Sequence, residues 1–396
     1  MDNIKKYWLY NILYNVGFMF CSGAILQTFL LQVGFNEQQV YLFNSLIQMM
    51  QVAMMVVMTF ISGKIKRVKT ITAISYSSLS LLTAVFLLGA LIPSLRNNGY
   101  IIAVFVVAGI SYIGVGIYTI LCYVLPYYTI DMKEYAKMTS ISVALSGAIS
   151  FALSFVHTFL VAKFDYMQAT AWFFVLAIIC FIATSIVCFS LKEQTKQVQE
   201  KKTSKEDMIA VFKNKDTYIL LFPNFARGIA TGIMNVITVI AISMAIMDEK
   251  VSPWVNIVMQ VGMFAGNISF AFLCKKITSQ TLLLISTIGC CVAFPFCIMN
   301  GLVWFLVVFF IAYFFRMIID TAIPVMVTEI IPQEQIGAYT SIRMLIFTAA
   351  QAVASLIIMP IVGAVGYTGL LIFASIMQLI CGLFYWAVAR IRKKSL

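Results

Sequence analysis

The residues of this sequence that carry chemistry are ionisable side chains set inside long apolar runs. Arg227, Arg316 and Asp320 form the clear set, and His157, near the outer end of its run, is a fourth member. Placing such a group at the centre of a membrane helix costs roughly 3 kcal/mol on insertion scales, so each one marks function or a specific packing contact. Arg316 and Asp320 are four residues apart and share one helix face, which Tyr313 extends at a spacing of three. Two guanidinium groups and one carboxylate leave one unit of positive charge. A carboxylate or phosphate on a solute would neutralise it, and arginine's planar fork suits bidentate binding of either. The alternative is a buried Arg227–Asp320–Arg316 cluster that only fixes helix packing. A further role for Asp320 is proton uptake as a coupling group, which requires it to part from its arginine neighbour.

Around Arg227 runs a polar stripe, Asn224, Arg227, Thr231, Asn235 and Thr238, at spacings of three and four on an otherwise apolar helix. The first apolar run offers Asn11, Asn15 and Ser22 on a comparable face. Asp131, Glu134, Glu329 and Arg343 fall at inner ends of runs, where charged pairs would form a cytoplasmic gate and solvated helix ends are the alternative. For His157, a packing role is expected over ligation. Gln48, Gln51, Asn256, Gln260, Asn267 and Gln351 suit hydrogen bonds between helices.

The elements that must position these residues follow from composition. The chain is 62% apolar and 11% charged over 396 residues, against about 45–50% and 25% in soluble domains. Its expected solvent is therefore the bilayer, in which backbone groups must pair within helices or closed barrels. Apolar runs at about 7–31, 38–62, 70–92, 100–125, 138–162, 167–191, 217–246, 252–274, 280–299, 301–328, 338–364 and 368–389 lack strand-like alternation. The expected fold class is an all-α membrane protein of about twelve transmembrane helices. With both termini cytoplasmic, the inner segments collect Lys5 and Lys6, Lys64 to Lys69, Lys133 and Lys137, the lysines between 192 and 215, Lys275 and Lys276, Arg343, and Arg390 to Lys394. The outer loops hold Arg96, Lys163 and Lys250. That asymmetry is the topogenic signal of a multi-pass protein of the cytoplasmic membrane. It also accounts for the net charge of +12 through contact with anionic lipid, with no nucleic acid implied. The first run is too long for a signal peptide and lacks its cleavage site. The nine cysteines sit in apolar runs without metal-ligand neighbours and read as packing residues. No metal, cofactor, catalytic triad or paired acids can be assembled, so no enzyme is expected.

The polar stretch 192–216 divides the chain into an N-terminal six-helix half (1–191) and a C-terminal one (217–396), and reads as a cytoplasmic linker with a short surface helix. The halves echo each other. Asn15 and Gly23 recur as Asn224 and Gly232, TFISGKI from Thr59 resembles AFLCKKI from Ala271, Pro126 matches Pro324, and Thr139-Ser140-Ile141 matches Thr340-Ser341-Ile342. Such repeats pack around a site near the midplane, to which rocking alternates access.

On these features, with SGKIKRVKT from Ser62 and TEIIPQEQIGAYTSIR from Thr328, the chain resembles the major facilitator superfamily over essentially its full length. LPYYTIDMKEYAKMTS from Leu125 resembles that superfamily's sugar–cation symporter branch, although the branch's paired acids in helix 2 are absent and no sodium site is carried over. The resemblance implies that helices 1, 4, 7 and 10 line a central cavity. That puts Arg227, Arg316 and Asp320 in a charged C-terminal wall, with Tyr118, Asn15 and other neutral or aromatic groups on the N-terminal wall. Asn15, Asn224, Asn235, Tyr118 and Tyr313 would then read the rest of a small solute. The expected function is secondary active transport of a small, anionic or carboxylate-bearing solute by a monomer, coupled to protons or another ion. An exporter of amphipathic drugs or lipids and a non-transporting solute receptor are the alternatives.

Overall fold

The computed structural model describes residues 2–61, 65, 67–129, 132–192, 211–213, 219–299, 301–331 and 333–395. Among these residues there are helices and short 3-10 turns and no strand, as lipid demands of a chain that must pair its own backbone. The principal helices are α1 (Asn3–Phe20), α2 (Gly23–Gln32), α3 (Glu37–Ile61), α4 (Val68–Leu91), α5 (Asn98–Thr129), α6 (Met132–Lys163), α7 (Tyr166–Phe189), α8 (Phe222–Met234), α9 (Ile237–Ser243), α10 (Ser252–Leu273), α11 (Ser279–Phe296), α12 (Leu302–Ile330) and α13 (Gln333–Ser395).

Among the described residues, 11 segments are long and apolar enough to cross a membrane. The last of them, Ala338–Val388, has 51 residues, where about 20 suffice. Gly366, at φ 70° and ψ 178°, breaks α13 there into arms 333–365 and 367–395, so this segment is two spans. The chain is thus an all-α membrane protein of the twelve-helix class.

The first and seventh apolar runs, expected as continuous helices, are each broken. Between α1 and α2 the break lies at Cys21 and Ser22. Gly23 takes φ 60°, and the Ser22 hydroxyl donates to the Phe18 carbonyl at 2.8 Å. Between α8 and α9 it lies at Asn235 and Val236, where neither glycine nor proline stands. Here the Asn235 carboxamide accepts a hydrogen bond from Arg316 of α12.

The chain forms two compact units, Met1–Lys202 and Thr203–Leu396. In the first, α3 and α4 pack on α5, α4 packs on α7, and α1 packs on α6 and α7. In the second, α10 and α11 pack on α12, α11 packs on α13, and α8 packs on α13. The same neighbour pattern in both units is the duplication in three dimensions. It does not extend to every matched pair of residues. Gly23 sits at a helix break with nothing near it, whereas Gly232 lies inside α8 against α13.

Close helix approach seats α8. A Cβ on Gly228 would lie 2.5 Å from both the Ala350 Cβ and the Phe347 carbonyl oxygen, and one on Gly232 would meet Ala354 at 2.6 Å. Small residues let membrane helices approach to backbone contact, and that contact fixes the rotation of α8 about its axis. In the first unit, the cytosol-side chain ends expected from charge are tied by side chains. The Asn3 carboxamide donates to the Thr129 and Lys192 carbonyls at 2.7 and 2.8 Å, and Lys69 donates to that of Leu191 at 3.0 Å.

His157 is fully buried on α6. Its Nε2 lies 3.2 Å from the Thr170 hydroxyl, and its ring packs edge-on against Phe173. That is a packing role, although its buried Nδ1 makes no hydrogen bond among the described residues. All nine cysteines are free thiols, and Cys274 is the exposed one. Among the described residues no cluster of His, Cys, Asp or Glu could hold a metal. Most of the 192–216 stretch, with its expected surface helix, lies outside the described residues.

Candidate functional site

The second unit brings the intramembrane charges together. On α12, Tyr313, Arg316 and Asp320 follow one face at spacings of three and four. On α8, the glycine contacts with α13 turn Arg227 toward that face. The Arg227 guanidinium forms a salt bridge through NH2 to Asp320 Oδ1, with the arginine side chain 11% and the aspartate 29% exposed. It also lies over the Phe347 ring, 4.9 Å from the centroid, a cation–π contact strengthened by the low dielectric around it. The i, i+4 spacing suggests Arg316 as the partner of Asp320. The tertiary contact from α8 takes the carboxylate instead.

Arg316 is held by neutral groups. Its NH1 donates to the Tyr313 hydroxyl at 3.2 Å and to Asn235 Oδ1 at 3.4 Å, and its guanidinium carbon lies 5.0 Å from the Tyr313 ring centroid. Arg227–Asp320 is the one ion pair among the described residues. The Nε and NH2 groups of Arg316 make no hydrogen bond among them. Arg316 is half-buried, so this two-donor edge of the fork is reachable.

The polar stripe read from spacing divides in two. Arg227 and Asn235 are partly open, while Asn224, Thr231 and Thr238 are buried. Asn224, expected to contact solute, has no exposed surface. Its amide donates to the Tyr385 hydroxyl at 2.7 Å and to the Leu220 carbonyl at 2.8 Å, and lies 3.4 Å from the Tyr339 hydroxyl. The reason is the rotation of α8. The stripe is wider than the open face, and its inner edge falls on the two arms of α13, where Asn224 clamps helices. Arg343, one turn before Phe347 on the same arm, has its Nε enclosed without a partner among the described residues. Asp131 lies outside the described residues, as do the side chains of Glu134 and Glu329.

In the first unit, Tyr118 of α5 belongs to a column of tyrosines. Its hydroxyl hydrogen-bonds that of Tyr14, and its ring stacks on Tyr76 at 4.9 Å. Tyr10 follows Tyr76 at 5.6 Å, and Tyr7 follows Tyr10 at 4.8 Å. Asn15 is exposed, with its amide 3.3 Å from the Ser146 hydroxyl. Sequence reasoning singled out Tyr118 and missed the rest of the column, although Tyr7, Tyr10 and Tyr14 carry the helical spacing of three and four that marks one face of α1.

A neutralised Arg–Asp pair beside a guanidinium with an open fork can bind an anion. Among the described residues it offers no activated nucleophile and no metal ligand set.

Residues 105–376 match the model of the family described as MFS/sugar transport protein. No curated protein sequence matches the chain. Solved structures of the same fold include a D-xylose–proton symporter, 13% identical, covering 97% of this chain and 96% of that one with a TM-score of 0.72. The nucleoside transporter NupG is 13% identical over 100% of this chain and 99% of that one, with a TM-score of 0.66. An N162A form of the fucose:proton symporter FucP of E. coli is 12% identical over 98% and 97%, with a TM-score of 0.62. The family and these neighbours are transporters rather than enzymes.

Proposed function

The chain belongs to the MFS/sugar transport protein family, and on that premise we propose that it is a secondary active transporter moving a small anionic solute across the cytoplasmic membrane by alternating access. Both termini lie on the cytoplasmic side, as the distribution of Lys and Arg supports, and the working unit is a monomer. The observation that carries the anionic reading is Arg316, a guanidinium at membrane depth whose partners among the described residues are an amide oxygen and a phenol and not a carboxylate. Leaving a charge uncompensated in a low-dielectric site is costly, and a carboxylate or phosphate on the solute removes that cost.

A thermal-stability screen of the detergent-purified protein tests the reading. Its panel holds carboxylates, phosphorylated solutes, neutral sugars and amphipathic cations. A ligand bound only by the folded state at about 100 times its dissociation constant adds roughly 2.7 kcal/mol, which reads as a clear rise in melting temperature. Stabilisation by anions that disappears in Arg316→Gln is the expected result. Stabilisation by bulky apolar cations alone would replace this reading with that of an amphipath exporter.

Asp320 serves as the proton-coupling group in this mechanism. The xylose and fucose neighbours, both proton symporters, support proton coupling as a class. The carboxylate binds a proton when Arg227 withdraws and releases it when the pair re-forms. Asp320→Asn is therefore expected to lose accumulation against a concentration gradient in proteoliposomes. An Asp320→Asn protein that still concentrates solute would remove Asp320 from that role.

A further inference from the structure

Three ionised groups meet on the facing surfaces of α8 and α12. Arg227 and Asp320 cancel, which leaves Arg316 with one positive charge and no carboxylate partner among the described residues. Arg343 does not join them. It sits a turn before Phe347 on α13 and has neither a salt bridge nor a hydrogen bond to Arg227, Arg316 or Asp320. The NH1 group of Arg316 is already engaged by Tyr313 and Asn235, so one edge of the fork, Nε–H and NH2–H, remains. Two parallel N–H donors match the two oxygens of one carboxylate.

We propose that this site selects a monocarboxylate over a phosphate monoester, because the facing surfaces of α8 and α12 supply, among the described residues, a single uncompensated positive charge and a single two-donor edge. The inference rests on the anion reading above and sharpens it to one class. A monoanion brings the local charge to zero. A dianion brings it to minus one, and in a desolvated site that residual charge has no counter-ion. The Arg227–Asp320 pair then has a second role. By holding one of two guanidinium groups neutralised, Asp320 sets the charge of the solute the site accepts.

The experiment compares three probes of similar size but different charge: glucose, gluconate, and glucose 6-phosphate. Dissociation constants are measured by titration calorimetry in detergent at about pH 8, well above the second phosphate pKa of about 6. For the wild-type protein, gluconate is expected to bind tighter than glucose 6-phosphate and glucose, by about tenfold or more. Asp320→Asn raises the local charge by one and is expected to reverse the order of the two anions. The Arg227→Gln/Asp320→Asn double variant returns the charge to plus one without the ion pair, and is expected to restore the wild-type order. If Asp320→Asn does not fold, the wild-type and double-variant orders decide the matter. Glucose 6-phosphate binding as tightly as gluconate to the wild type, or an order indifferent to these charge changes, would overturn the selectivity and leave the anion site standing. Glucose binding as tightly as either anion would overturn the anion reading itself, and this inference with it.

Discussion

Arg227→Gln is expected to lower the stability of the protein by about 3 kcal/mol, read as a fall in the apparent melting temperature in detergent. The substitution removes one partner of a pair whose carboxylate sits on a membrane helix, and it leaves Asp320 with no cation bonded to it, either to carry a stranded charge or to take up a proton at a cost. Breaking a buried pair from one side costs about 3–5 kcal/mol, because the stranded charge has lost its solvation and gained nothing in return. Asp320 keeps 29% of its side chain exposed, so partial hydration puts the cost at the lower end of that range. Loss of the guanidinium from the Phe347 ring adds a smaller term of about 0.5–1 kcal/mol. The double variant Arg227→Gln/Asp320→Asn should recover most of the loss, since two amides of similar shape carry no charge to strand. A coupling of about 1 kcal/mol or more in the double-mutant cycle is the quantitative expectation. Equal melting temperatures for the wild type and Arg227→Gln, or a double variant as unstable as the two singles combined, would show that the pair does not hold α8 to α12.

How much of this was legible in the sequence depends on the range of the interaction. Span positions follow from runs of apolar residues, a local property, and α3 through α7 and α10 through α12 fall on those runs. The break at Gly366 also has a local cause, since glycine alone takes φ 70° without strain. The break at Asn235 does not. No residue there forbids a helix, and a contact made at the break comes from a side chain 81 positions away. The three charges of the site stand out because charge is rare at membrane depth. Their pairing does not, because spacing along α12 points Asp320 to Arg316, and only the rotation that the glycine contacts give α8 brings Arg227 to it. The same rotation turned Asn224 from an expected solute contact into a clamp between helices. In the tyrosine column, the α1 members share one helix face and could have been found from spacing. Tyr76 could not, because it arrives from α4 through packing alone.

Arg316 separates charge from shape in the proposed transport cycle. Arg316→Gln keeps hydrogen-bonding capacity near Tyr313 and Asn235 but removes the charge, and is expected to lower kcat/KM for the most stabilising anion by about a hundredfold or more. That corresponds to the roughly 2–5 kcal/mol attached to truncating one side of a desolvated, hydrogen-bonded charge pair. Arg316→Lys keeps the charge and loses the planar fork. An ammonium group cannot serve Tyr313, Asn235 and both oxygens of a carboxylate at once, because it has three donors in a tetrahedral array where the guanidinium has five in a plane. Arg316→Lys is therefore expected to fall between the two, about tenfold below wild type, with most of the loss in KM because one contact to the solute goes. Uptake into proteoliposomes at several solute concentrations gives both parameters. If Lys and Gln at this position are equally poor, fork geometry is what the solute reads. If Lys equals Arg, a point charge suffices and bidentate binding is excluded. If Gln transports as well as the wild type, Arg316 does not meet the solute, and its bonds to Tyr313 and Asn235 serve only to hold the break between α8 and α9.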